Sequence, residues 1–168
     1  MVIWMIGLSG AGKTTLARAV VAAIRAETPN VVLLDGDDVR AVFGDTGHDM
    51  EGRKRNSERM VRMSEWLDAQ GIHVVCAILS LFEEDRAALR AAVGAYYEVY
   101  IDAPMADLQR RDVKGLYARH ARGETRMVAG LDLDFPVPPN PDLIIRNAAG
   151  EAALLAHAGP LARRVLEA

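Results

Sequence analysis

A short apolar run, VIWMI at residues 2–6, leads directly into GLSGAGKTT at 7–15, and no other stretch restricts the fold as strongly. Gly7, Gly12, Lys13 and Thr14 complete the pattern Gly-x-x-x-x-Gly-Lys-Thr, with Ser9, Gly10 and Ala11 inside the loop and Thr15 at its exit. The glycines let the loop wrap so that backbone N–H groups and the next helix's first turn face phosphate oxygens. Lys13 then reaches the β- and γ-phosphates of a nucleoside triphosphate, and the Thr14 hydroxyl is placed to coordinate Mg2+. The chain lacks a guanine-reading Asn-Lys-x-Asp element, the nearest approach being NPDL at 140–143, so ATP is the expected donor.

Short apolar runs recur at 2–6, 31–34, 72–79, 96–101 and 142–146, and helical periodicity fills 14–26, 54–70, 83–93 and 151–167. Strands alternating with helices predict an α/β fold of three layers, α/β/α, on a five-stranded, mostly parallel sheet. Apolar strands without polar alternation suit a sheet covered on both faces. At 168 residues we expect one domain, 1–168. Residues 112–141, basic at first and then rich in Gly and Pro, form a connection long enough to predict a functional lid.

A net charge of −3 argues against a nucleic acid polymer or an anionic membrane as partner. No apolar run approaches bilayer length, and the start has no basic leader, so we expect no membrane association and a cytoplasmic location. Cys76, the one cysteine, sits in HVVCAIL and reads as a buried thiol. His73 begins a strand, while His120 and His157 fall in segments expected to be exposed. None has a Cys or His partner at metal-ligand spacing.

The acceptor must be read elsewhere. LLDGDDVR at 33–40 sets two carboxylates at the carboxyl end of a parallel strand, where such sheets hold ligands. Asp35 is placed to hold Mg2+ through water, Asp37 to take the proton of an attacking hydroxyl, and Arg40 to steady an anionic substrate. The plainer reading of Asp-Gly-Asp-Asp is a turn with a helix N-cap.

GLSGAGKTT, LDGDDVR, RDVKGLY and ARGE followed by AGLD occur in the order and spacing of the adenylylsulfate (APS) kinases, and the resemblance runs over residues 2–147. It implies a P-loop kinase that uses ATP and Mg2+ to phosphorylate the 3′-hydroxyl of adenosine 5′-phosphosulfate, giving PAPS, and commonly a homodimer. Carried over residue by residue, it adds Arg53, Asn56 and Ser80 as substrate-binding positions, and Lys114, Gly115, Leu116 and Tyr117 as the lid signature, with Arg111 in the preceding Arg-Asp pair. Arg53 and Asn56 lie three apart on one helix face, which Met60 and Met63 continue as a buried stripe.

Departures accompany the resemblance. APS kinases are similar to one another in holding adenine between two phenylalanines, and those positions are His48 and Val128 here. Gly52 replaces the Asp before Arg53, Ala121 takes the place of a lid arginine with Arg122 one residue later, and FISP becomes ILSL. Stacking a base is worth about 1 to 3 kcal/mol, so these losses point toward a smaller or differently stacked base. A cytidine diphosphoramidate kinase branch, acting on a cytidine nucleotide's 3′-hydroxyl, is resembled in the start at the first strand, in GH for GF and in ILS followed by an apolar pair. Both acceptors stay open on the sequence. Outside the enzymes, a nucleotide-binding regulator would need neither Asp37 nor a cationic acceptor pocket.

Overall fold

A computed structural model describes residues 1–168. Five strands, β1 (Val2–Ile6), β2 (Val31–Asp35), β3 (His73–Ile78), β4 (Tyr96–Asp102) and β5 (Leu143–Arg146), pair entirely in parallel in the order β2-β3-β1-β4-β5. β1 is central, and each of its five side chains is fully buried. Ile3 and Met5 face one apolar cluster while Val2, Trp4 and Ile6 face the other, which is why this strand reads as continuously apolar.

The larger cluster is covered by α1 (Lys13–Arg25), α7 (Glu151–Leu155) and α8 (Ala158–Leu166). α1 contributes Leu16, Ala17, Val20, Val21 and Ile24, the stripe a 3.6-residue period aims at one side. The opposite cluster is closed by α2 (Gly36–Val42), α3 (Met50–Asp68) and α4 (Glu83–Ala92). Met60 and Met63 belong there, and Cys76 is buried with its thiol pushed up to about 12 by desolvation.

The single helix expected over 151–167 is two helices. Pro160 cannot donate to the carbonyl of Ala156, so the ladder breaks and restarts with Pro160 in the first turn of α8. α3 starts at Met50, before the expected 54, because the Asp49 carboxylate accepts from Gly52 N at 2.8 Å and caps it. Two short helices, α2 and α5 (Met105–Arg111), fall in stretches the periodicity left unassigned.

Residues 112–141 hold one helix, α6 (Leu116–Ala121), and an isolated bridge between Ala129 and Leu133. The Asp112 carboxylate accepts from Tyr117 N at 3.0 Å and Ala118 N at 2.9 Å, fixing the start of α6. Phe135 stacks on Tyr100 of β4 with centroids 6.1 Å apart, so the far end of the segment is tied to the sheet. His120 is only partly exposed, its Nε2 lying 3.2 Å from Asp132, and His157 is partly buried. No helix is long and apolar enough to cross a membrane.

Candidate active site

The carboxyl ends of β1, β2 and β3 open into one crevice, and each delivers a loop to it. After β1 the loop turns through Gly12 in the left-handed region, φ 101°. A Cβ there would lie 2.4 Å from Leu154 Cδ2 and 3.1 Å from Asn147 Nδ2, so glycine is required for packing as well as for the turn. Asn147 Nδ2 donates to Ala11 O at 2.9 Å, and the Tyr117 hydroxyl donates to Ser9 O at 2.9 Å. The phosphate loop is thus gripped by the residue after β5 and by α6. The sequence offers no local sign of Asn147, because 136 positions separate it from its partner.

Lys13 Nζ donates to the carbonyl oxygens of Gly7 and Leu8, both at 2.8 Å. Burial, and secondarily the charge of Lys114, lower its ammonium to about 8. Thr14 Oγ1 donates to Asp35 Oδ2 at 2.5 Å, and Asp35 is 6% exposed. A hydroxyl and a carboxylate in contact beside a phosphate loop form the hard oxygen donor set that suits Mg2+.

Asp35 has a second task. Its Oδ1 accepts from Asp37 N at 2.9 Å and caps α2, so the helix-cap and ligand readings of LDGDD describe one residue. That cap turns the backbone so that Asp37 emerges at the cavity. Burial alone would raise the Asp37 carboxyl, but its ion pair with Lys114 prevails, and with Lys13 and His48 holds it below the usual carboxylate range.

Two arginines shape the opposite wall. Arg40 Nη1 donates to Gly47 O, and Arg53 reaches His48 O at 2.8 Å through Nε and Met127 O at 2.9 Å through Nη2. Desolvation, then the charges of Arg40 and Arg53, lower the pKa of the His48 imidazole. The turn carrying His48 rests directly on α3: a Cβ at Gly52 would stand 2.5 Å from Gly47 O. Asp45 braces that turn, accepting from Gly47 N at 2.9 Å and from Arg59 Nη1 at 2.7 Å, with its carboxyl held at about 2. Asn56 Nδ2 donates to Gly36 O at 3.1 Å, and Ser80 Oγ accepts from the indole N–H of Trp4 at 3.0 Å.

These groups enclose a cavity of about 960 Å³. Ser9, Gly10, Gly12, Lys13, Thr14, Thr15, Asp35, Asp37, Arg40, His48, Arg53, Asn56, Ser80, Lys114, Leu116 and Val128 line it together. Gly7, Ala11 and Arg111 do not. Arg111 Nη2 donates to Asn147 O at 3.3 Å and supports the loop from behind. Val128 is 2% exposed and belongs to the larger core cluster, so it offers the cavity an edge and no ring. Its backbone N–H and that of Met127 donate to Asp132, at 2.6 and 2.9 Å. Asp45 and Phe82 also shape this region, and no local motif singles them out; Asp132 is the last residue of the AGLD motif.

The family model described as adenylylsulphate kinase matches residues 1–146. The chain belongs to the adenylylsulphate kinase family. Relatives within it include the adenylyl-sulfate kinase of Aeromonas salmonicida, 39% identical over 92% of this chain and 81% of its own length. The cytidine diphosphoramidate kinase of Campylobacter jejuni is 35% identical over 88% of this chain and 86% of its own. Among solved structures, the Mycobacterium tuberculosis APS kinase CysC in complex with AMPPNP and APS superposes with a TM-score of 0.86 at 32% identity, covering 99% of this chain and 97% of that one. An adenylylsulphate kinase family member with this sheet and loop is a P-loop kinase, an ATP-dependent phosphotransferase acting on a hydroxyl group.

Proposed function

We propose that the chain transfers the γ-phosphate of ATP to the 3′-hydroxyl of a small nucleotide, with adenosine 5′-phosphosulfate as the leading acceptor. The observation that carries this reading is the placing of Asp37 at the cavity, two residues beyond the carboxylate that meets Thr14, between Lys13 and the wall bearing Arg40 and Arg53. The 39% identity to an adenylyl-sulfate kinase supports the choice of acceptor.

Lys13 leaves its two carbonyl partners for the β- and γ-phosphates. Thr14 and Asp35 are the residues that would hold Mg2+, which when bound offsets charge on the β- and γ-phosphate oxygens. Asp37 accepts the proton of the acceptor hydroxyl as its oxygen attacks the γ-phosphorus, and the bond to the bridging oxygen breaks to release ADP. Arg40 and Arg53 hold the acceptor's anionic group. Gly10, Gly12 and Thr15 complete the donor cradle, while Leu116 and Lys114 cover the site.

A second acceptor, a cytidine nucleotide, is favoured by the missing aromatic clamp: His48 is an exposed imidazole and Val128 lies in the core. Steady-state kinetics with Mg-ATP against adenosine 5′-phosphosulfate and cytidine diphosphoramidate, under one set of conditions, separates the two by kcat/KM. Asp37→Asn is expected to lower kcat by about 10² to 10⁴. Hydrolysis of ATP that needs no acceptor and ignores Asp37→Asn would point to a nucleotide-binding regulator and sink the kinase reading.

A further inference from the structure

Ser57 stands on α3 beside Asn56 with 2% of its surface exposed, lines the cavity, and has no hydrogen-bond partner for its Oγ. Asn56 is 3% exposed, and with Nδ2 engaged by Gly36 O its Oδ1 is likewise unpartnered. Buried polar atoms are nearly always satisfied, so two orphans side by side on a cavity wall mark where an occupant binds. The ordinary fate of a buried helix serine is visible two turns later. Ser64 Oγ donates to Met60 O, four residues back, at 2.7 Å. Ser57 makes no such bond.

Other polar side chains of this region are engaged, apart from the buried Asp85 Oδ2. Ser80 Oγ takes the Trp4 N–H, and Lys54 Nζ pairs with Glu84 and Asp85. Lys54 and Ser57 are three residues apart and share a helix face. The Lys54 ammonium lies 4.8 Å from the centroid of Phe82, which also lines the cavity. Ser57 therefore belongs to the wall facing the turn between β3 and α4. A cavity lined by both an aromatic ring and an uncommitted hydroxyl suits a flat ligand that carries a polar edge.

We propose that Ser57 Oγ hydrogen-bonds the edge of the acceptor's base, which makes Ser57 a specificity-determining residue of the acceptor site. The proposal rests on the nucleotide-acceptor reading above. A hydroxyl both donates and accepts, so it can meet either a ring nitrogen or an exocyclic amine, while Asn56 Oδ1 accepts only.

The test is Ser57→Ala, assayed in parallel with the unaltered protein for the nucleotide acceptor, for ATP and for thermal stability. We expect acceptor kcat/KM to fall roughly tenfold, the scale of one buried hydrogen bond, with the KM for ATP unchanged. Tm should stay level or rise, because the variant removes an unsatisfied hydroxyl. A structural role would move Tm downward and leave acceptor preference alone. Acceptor analogues with one polar base atom replaced by C–H then locate the contact: one of them should impair the unaltered protein and leave Ser57→Ala no worse. Acceptor kcat/KM within twofold of the unaltered protein, or equal penalties for every analogue in both proteins, would overturn the proposal. Failure of the unaltered protein to phosphorylate any nucleotide would overturn the underlying reading, and that control makes the two failures distinguishable.

Discussion

Lys13 has an ammonium lowered to about 8, chiefly by burial, when its partners are only two loop carbonyls. A bound triphosphate would stabilise the charged form strongly. At about pH 9 most free protein then carries neutral Lys13, and binding takes up close to one proton; at about pH 6 it takes up none. Calorimetry of ATP binding in buffers of different ionisation enthalpy reads this directly, and buffer-independent heats at the higher pH would refute it. Single residues differ in how plainly the sequence announced them. Lys13, Thr14, Asp35 and Asp37 were legible because a loop and a strand end fix them over a few positions. Asn147 and Ser57 were not, because what matters about each is a distant partner or the lack of one.

At the scale of elements, the segment bearing Lys114 reaches Asp37 across 77 positions. Its ammonium is the main influence lowering the Asp37 carboxyl, against burial, which raises it. With Asp37 as the proposed base, activity needs its ionised form, so in the free enzyme it is present above that lowered value and lost as pH falls through it. Lys114→Met should therefore move the acid limb of the kcat/KM profile to higher pH, and an unmoved limb would show the ion pair to be incidental. The turn before α3 is as tightly constrained. Gly52→Ala places a methyl against the Gly47 carbonyl, and we expect about 1 to 3 kcal/mol lower stability in denaturant unfolding with a raised acceptor KM. Asp45 contributes fully above about pH 4 and ceases to contribute as pH falls through about 2, since its folded value lies below the unfolded one. The apolar periods disclosed the strands and the longer helices. They missed α2 and α5, each seven residues long, and fused α7 to α8, because so few turns carry little periodic signal.

For the whole molecule, the two apolar clusters share four strands, β1 to β4, with β1 sending alternate side chains into each. Neither layer can dissolve without exposing the sheet that supports the other. We predict one cooperative unfolding transition, with far-UV circular dichroism and tryptophan fluorescence superimposing along a urea series; separate midpoints would mean independent units. Parallel pairing was foreseeable from the spacing of strands and helices, whereas the order β2-β3-β1-β4-β5 was not, since nothing local says which strands become neighbours. That order sets β1 beside β3, and so sets the Trp4 indole against the Ser80 hydroxyl on the cavity wall. Trp66, the other tryptophan, is 65% exposed and far easier to replace. With Trp66→Phe, Trp4 would be the chain's one tryptophan, hydrogen-bonded to the cavity wall, an optical gauge of occupancy that requires no label.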